Sequence, residues 1–229
     1  MKQLKIIYED NHIIVVEKPP NVPSQSDKTE DEDMLTIINA YLKEKYHKPG
    51  NVYLGLVHRL DRPVGGVMVF AKTSKAAGRL SEQVRNKTFK KEYLAIVDGK
   101  PTKQQGILED YLLKNQQKNM SKVAGKNTKN VKYAKLEYQF IKYNPETDLS
   151  LLKILLHTGR HHQIRVQLSH WGHSICGDQK YGTRGRGKQI ALWAYQLTIE
   201  HPVTKEHMTF TDVPEHIGPW VMLEDTNIM

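Results

Sequence analysis

The chain has 229 residues, 38% hydrophobic and 26% charged, which is enough for one sizeable core with at most a small appendage. Its 34 Lys and Arg exceed its 25 Asp and Glu, a formal charge of +9 that points to a polyanionic partner, nucleic acid before membrane. Early charges exclude a signal peptide, no apolar run approaches the roughly 20 residues that span a bilayer, and the single cysteine, Cys176, excludes an intrachain disulfide or a cysteine-based zinc knuckle. A cytoplasmic monomer is expected.

In chain order, residues 6–9 and 13–17 are β-branched runs split by Asp10-Asn11, the pattern of a hairpin. A proline-containing loop follows over 18–28. Met34, Leu35, Ile38, Tyr41 and Leu42 recur at helical spacing, so 31–46 is expected to be a surface helix with acids in its first turn, where the helix dipole favours them. Residues 53–60 and 67–71 have the apolar density of buried strands, with a turn at 62–66 between them. Ser74 is the expected N-cap of a helix reaching Val84 or Arg85, and 93–97 is the next strand. Lysines at 114, 118, 122, 126, 129 and 132 have no acid among them, and this stretch reads as a mobile loop.

Residues 133–143 and 149–157 read as paired strands about a turn at 144–148. Thr158-Gly159 opens a helix expected over 160–171, in which His161 and Arg165 share a face and which Gly172 ends. Late strands at 191–200 and 207–211 precede a tail over 212–229. Strands outnumber helices and connections are short, so the expected class is α+β with a mixed, largely antiparallel sheet and flanking helices. No composition shift marks a boundary, and 1–229 reads as a single domain.

Four segments carry chemistry. His58-Arg59-Leu60-Asp61 runs into Arg62-Pro63 and Gly65-Gly66, which is first of all turn chemistry. Asp61 is then either a structural turn acid or a carboxylate that a cation keeps ionised for use as nucleophile or general base. No second acid accompanies it, which disfavours two-carboxylate glycoside hydrolysis. The run His157-Thr158-Gly159-Arg160-His161-His162-Gln163-Ile164-Arg165 gathers Arg160, His161, His162 and Arg165 at an expected helix start, where backbone donors suit phosphate. Adjacent histidines diverge on a helix and no zincin pattern is present, which argues against a metal.

The lysine stretch and Arg184-Gly185-Arg186-Gly187-Lys188 are either solvated loops or sequence-independent contacts to RNA, since no helix-turn-helix or finger supports DNA. Tyr93, within Lys91-Glu92-Tyr93, either packs in the core or carries an unstacked base. Gly65-Gly66 matches neither a P-loop nor a dinucleotide fingerprint, so no nucleotide cofactor is expected.

Taken in order, Glu9-Asp10 with the strand and loop from Val15 to Pro20, the tetrapeptide at 58–61, Lys91-Glu92-Tyr93, the segment 158–165, Gly177-Asp178-Gln179-Lys180-Tyr181-Gly182, Leu192-Trp193-Ala194 and His201-Pro202 resemble the RluA family of pseudouridine synthases. The match covers about 6–214. The resemblance implies isomerisation of a uridine in a structured ribosomal or transfer RNA, on the family's catalytic fold with its RNA-binding cleft. It implies no cofactor or metal and no obligate protein partner. By position, Asp61 matches the catalytic aspartate, Tyr93 the base-stacking tyrosine and Arg165 the arginine that pairs with the aspartate. Arg59 matches the motif arginine near the flipped nucleotide, and His58, Arg160, His162 and Gln163 are the other expected RNA contacts. A base must leave its stack before its sugar bond is reached, so an aromatic platform and a nearby cation suit the chemistry.

Val64-Gly65 stands where the family more often has Thr-Ser, and Glu17 and Asn21-Val22 replace the commoner Asn and Gly-Leu. The chain opens on the first catalytic motif, so the extra N-terminal RNA-binding domain of many relatives is not expected. A non-catalytic RNA-binding protein and a nucleosidase that releases free base are the alternatives.

Overall fold

The structure, a computed structural model, describes all residues except 1–3, 28, 48, 51, 183–186, 188, 225, 227 and 229. Of the basic run at 184–188, all but Gly187 therefore lies outside the described residues. The elements in chain order are β1 (Ile6–Glu9), β2 (Ile13–Lys18), α1 (Met34–Lys45), β3 (Gly55–Leu56), β4 (Gly65–Ala71), α2 (Ser74–Arg85), β5 (Lys90–Asp98), β6 (Gln105–Asn115), β7 (Met120–Val123), β8 (Lys132–Asn144), β9 (Leu149–Leu156), α3 (Gln163–His170), β10 (Leu192–Glu200) and β11 (His207–Thr211). A 3₁₀ turn, Gly218–Leu223, closes the described chain. Strands dominate, so the class is α+β.

The chain divides into two compact units, Met1–Lys90 with Ala194–Val213, and Lys91–Trp193 with Pro214–Met229. In the first, the strand order is β1-β2-β4-β10, with β11 on β10 and β3 on β4. Ile13 to Val16 and Met68 to Ala71 are fully buried along continuous runs, the sign of strands covered on both faces. The spacing Met34, Ile38, Leu42 gives α1 one wholly buried stripe. The helix starts later than its acids suggested. Asp33 stays extended and its side chain accepts from Thr36 N at 2.9 Å, so the acids lie at the cap and before it, with none in the first turn. Helix α2 is likewise capped by Thr73, whose Oγ1 accepts from Ala76 N at 3.2 Å, rather than by Ser74.

The second unit is an antiparallel series β5-β9-β8-β6-β7. Helix α3 lies against it through Val166, which packs with Leu112 and Ala134 and is flanked by Val123 and Tyr181. Cys176 is a buried thiol here.

Three further expectations need correction. The strand expected over 53–60 shortens to Gly55–Leu56, because the backbone of Leu60 bonds the Ser24 hydroxyl instead of a ladder, donating at 3.2 Å and accepting at 3.0 Å. The lysine stretch is a β6-β7 hairpin followed by turns, paired from Leu112↔Val123 to Asn115↔Met120, and not an irregular loop. Helix α3 begins at Gln163 rather than 160, because His162 takes a left-handed φ of 53°. His161 thus precedes the helix and shares no helical face with Arg165.

Candidate active site

In the first unit, Asp61 opens a tight turn closed by Val64 N donating to Asp61 O at 3.0 Å. The next strand starts with Gly65-Gly66, and Gly66 has φ +119° with Ala194 O only 2.2 Å from where a Cβ would stand. Only glycine fits that backbone approach. The turn is fastened from the loop after β2. Asn21 N donates to Arg62 O at 2.8 Å, and the Ser24 hydroxyl holds Leu60 as described.

Lys18 completes the latch. Its side chain is fully buried, and its Nζ donates to three carbonyls, Val22 at 2.7 Å, Arg62 at 2.9 Å and Pro19 at 3.0 Å. Burial pulls this ammonium down to about 7, while attraction to Asp61 opposes the fall and Arg62 adds to it. Arg62 itself reaches out to Thr29 at 2.7 Å and to the carboxylates of Asp27 and Asp31. The backbone on both sides of Asp61 is thus anchored at several points.

The other residues of the tetrapeptide differ in setting. Arg59 is exposed. His58 is half-buried, its Nε2 accepting from Val69 N of β4 at 3.1 Å and its ring 5.1 Å from that of Phe89. That gives His58 a packing role within the unit.

The second unit carries the remaining candidates. Tyr93 lies in β5 and is only 6% exposed, with Glu92 paired to Lys153 at 2.8 Å beside it. Burial lowers the Lys91 ammonium in the same strand. Arg165 is 4% exposed and grips Asp178 with both ends of its fork, Nε to Oδ2 at 2.8 Å and Nη2 to Oδ1 at 2.6 Å. Burial pushes the Asp178 carboxyl up, but Arg165 and the amides of Lys180 and Tyr181 outweigh it and hold it below the usual carboxylate range. Arg165 also lies over the Tyr181 ring, 5.2 Å from its centre.

Two residues expected to face RNA are turned inward. Gln163 is 2% exposed, and its amide accepts from Arg160 N and the Thr158 hydroxyl and donates to Lys135 O and Gln167. That network closes the turn before α3 and occupies donors expected to meet phosphate. His162 is buried too, its Nδ1 2.8 Å from the Tyr181 hydroxyl. Arg160 is exposed, with Nε donating to Tyr133 O at 2.8 Å.

Sequence reasoning missed Lys18, Ser24 and the partnership of Asp178 with Arg165. A lysine ending a run of β-branched core residues just before Pro19-Pro20 was the available signal for the first. Among the described residues no cluster of three or more His, Cys, Asp or Glu is arranged to hold a metal, and no helix is long and apolar enough to cross a membrane.

The profile of a family described as RNA pseudouridylate synthase matches residues 12–170. The chain is 32% identical to a tRNA pseudouridine synthase C of Pasteurella multocida, covering 90% of this chain and 89% of that one. It is also 32% identical to a ribosomal large subunit pseudouridine synthase D of Zymomonas mobilis, covering 90% and 68%. In fold it is similar to the human RNA pseudouridylate synthase domain containing 4, with a TM-score of 0.80 at 21% identity over 98% of this chain and 94% of the other. With the motifs at 58–61 and 158–165 inside the matched span, the chain belongs to the RluA family and is an RNA pseudouridine synthase, an isomerase of uridine in RNA.

Proposed function

We propose that Asp61 is the catalytic carboxylate with which this enzyme isomerises a specific uridine of a structured ribosomal or transfer RNA. In that reaction the bond from ribose to the base nitrogen breaks, the uracil turns, and its carbon-5 joins the sugar, losing the carbon-5 proton while the freed ring nitrogen takes one up. The observation that carries the reading is the fastening of the turn at Asp61, whose flanking backbone is held by Lys18, Asn21 and Ser24. A nucleophile or base acts well only when its approach is fixed, and such anchoring fixes it.

Tyr93 is proposed as the platform for the flipped base and Arg165 as the arginine that supports the aspartate, the roles implied by the family pattern. Arg59 is proposed to meet the flipped nucleotide. The two substrate classes follow the relatives, one named for tRNA and one for the large ribosomal subunit. The enzyme is read as a cytoplasmic monomer that needs neither metal nor cofactor.

Transcripts tritiated at uridine carbon-5 test the assignment. Wild-type protein releases tritium to water, and Asp61→Asn, folded by circular dichroism, releases none above background. Equal release from both proteins overturns the role of Asp61, and free uracil among the products marks a nucleosidase instead.

A further inference from the structure

In the second unit a recess of about 160 Å³ opens between the β6-β7 hairpin, the start of β8 and the turn before α3, lined among others by Leu112, Lys114, Ser121, Lys132, Arg160 and His161. The strand register places its parts. Leu112 pairs with Lys132 on one side and Val123 on the other, and Lys114 pairs with Ser121. Partners directly opposite share a face, and positions two apart along a strand share it too, so Lys114, Ser121 and Lys132 project together around buried Leu112. The remaining wall is the turn 159–161. His161 is fastened across it, Nδ1 2.9 Å from the Ser121 hydroxyl and Nε2 3.0 Å from Asn119 Oδ1, with its ring stacked on His162 at 3.8 Å.

The charges here meet no carboxylate among the described residues. Lys5, Lys45, Lys72, Lys153 and Lys205 each sit within 2.8 Å of a carboxylate. Lys114, Lys132 and Arg160 have no acidic partner among the described residues, and none of the lining residues is acidic. Asp110, further along the same face of β6, accepts from Gln167 Nε2 at 2.8 Å. Arg160 is oriented by its Nε bond to Tyr133 O, so its terminal amino groups remain to meet a ligand. Three cations around one concave site, two on paired strands and one on the turn before α3, with no counter-charge among the described residues, suit a phosphate anion better than a solvated surface.

We infer that Lys114, Lys132 and Arg160 form a binding site for a backbone phosphodiester of the RNA substrate. The inference rests on the RNA-modifying reading above and assigns it an anchoring point, one that grips strand geometry rather than sequence. Its contribution is to affinity and not to the chemical step, so it enters KM and leaves kcat alone.

All three side chains are exposed, so a Lys114→Gln/Lys132→Gln/Arg160→Gln protein should fold, which its melting curve verifies. Binding of a short fluorescein-labelled RNA stem-loop is titrated at several salt concentrations. Loss of three phosphate contacts is expected to weaken binding about tenfold or more and to make the plot of log affinity against log salt shallower by about 2 to 3. The control removes the same charge from exposed positions of the first unit, Lys43→Gln/Lys75→Gln/Arg85→Gln, and should change the slope far less. Equal effects in the two triple variants mean diffuse charge and overturn the site, as does unchanged affinity in the first, the outcome for a pocket that holds only free phosphate. Tritium release at saturating RNA gives the second arm: the recess variant keeps its kcat with a raised KM, and a collapse of kcat overturns the anchoring role. If wild-type protein releases no tritium, the catalytic reading fails while the binding comparison still decides the site.

Discussion

At Lys18, one side chain does the work of a whole network, because three carbonyls from two separate turns converge on its ammonium in a place without solvent. The ordinary lysine value is 10.5 and burial brings this one to about 7, so between those values the unfolded chain binds the extra proton. Folding stability therefore rises with pH across that window, and below about 7 both states are protonated and the contribution is flat. Relative to Lys18→Met, the wild-type protein is expected to gain about 2 kcal/mol between pH 7 and pH 9. Urea denaturation of both proteins at the two pH values measures it, and parallel profiles would show that position 18 titrates no differently when folded. The only hint in the sequence was the Pro19-Pro20 that follows the run Ile13 to Lys18: a terminal lysine on a strand ordinarily reaches for water, and only the loop wrapping over it makes the end a closed pocket.

Among the elements, β1, α1 and the end of β4 are tied by Glu9. Its carboxylate accepts from Lys72 at 2.6 Å, Lys45 and Tyr46 at 2.7 Å and Tyr41 at 2.8 Å. Burial pushes the Glu9 carboxyl up, yet the four donors prevail and hold it at about 2. A carboxyl lowered in the fold stabilises above its unfolded value of 4.5 and loses that contribution as pH falls toward 2. Glu9→Gln is expected to cost about 2–3 kcal/mol at neutral pH, with a much smaller difference from wild type near pH 2. Thermal melts across that range test the convergence. The apolar spacing of α1 was legible because Met34, Ile38 and Leu42 repeat the helical period, whereas β7 was not, since its four residues are too few for a pattern against a background of lysines. The start of α3 was hidden for another reason: the positive φ of His162 depends on Gln163 reaching back to Arg160 and Thr158, a tertiary arrangement rather than a local propensity.

For the whole molecule, the charge of +9 and the ordered motifs carried most of the functional reading, and the family profile over residues 12–170 agrees with it. Asp61 stood out in the sequence because its neighbours are distinctive, not because turn chemistry separates a catalytic acid from a structural one. The Arg165–Asp178 pair was less accessible, because thirteen positions of chain separate the partners and only the fold closes that distance. An enzyme that acts on one structured site should leave a sparse mark on the transcriptome. Cells without the gene are expected to lack pseudouridine at one or a few positions of ribosomal or transfer RNA, restored by the wild-type gene and not by Asp61→Asn. Pseudouridine sequencing of the three strains reads this directly, and identical maps would remove these RNAs as substrates.

The hydrogen bond from the Val69 amide to His58 Nε2 has a consequence for proton traffic. A ring nitrogen that accepts must present its lone pair, so the neutral tautomer at position 58 carries its hydrogen on Nδ1. Protonating Nε2 would set one N–H against another and dislodge the ring from β4. The histidine that opens the motif thus gives one ring nitrogen to holding a strand, and only its Nδ1 side is left to face anything else.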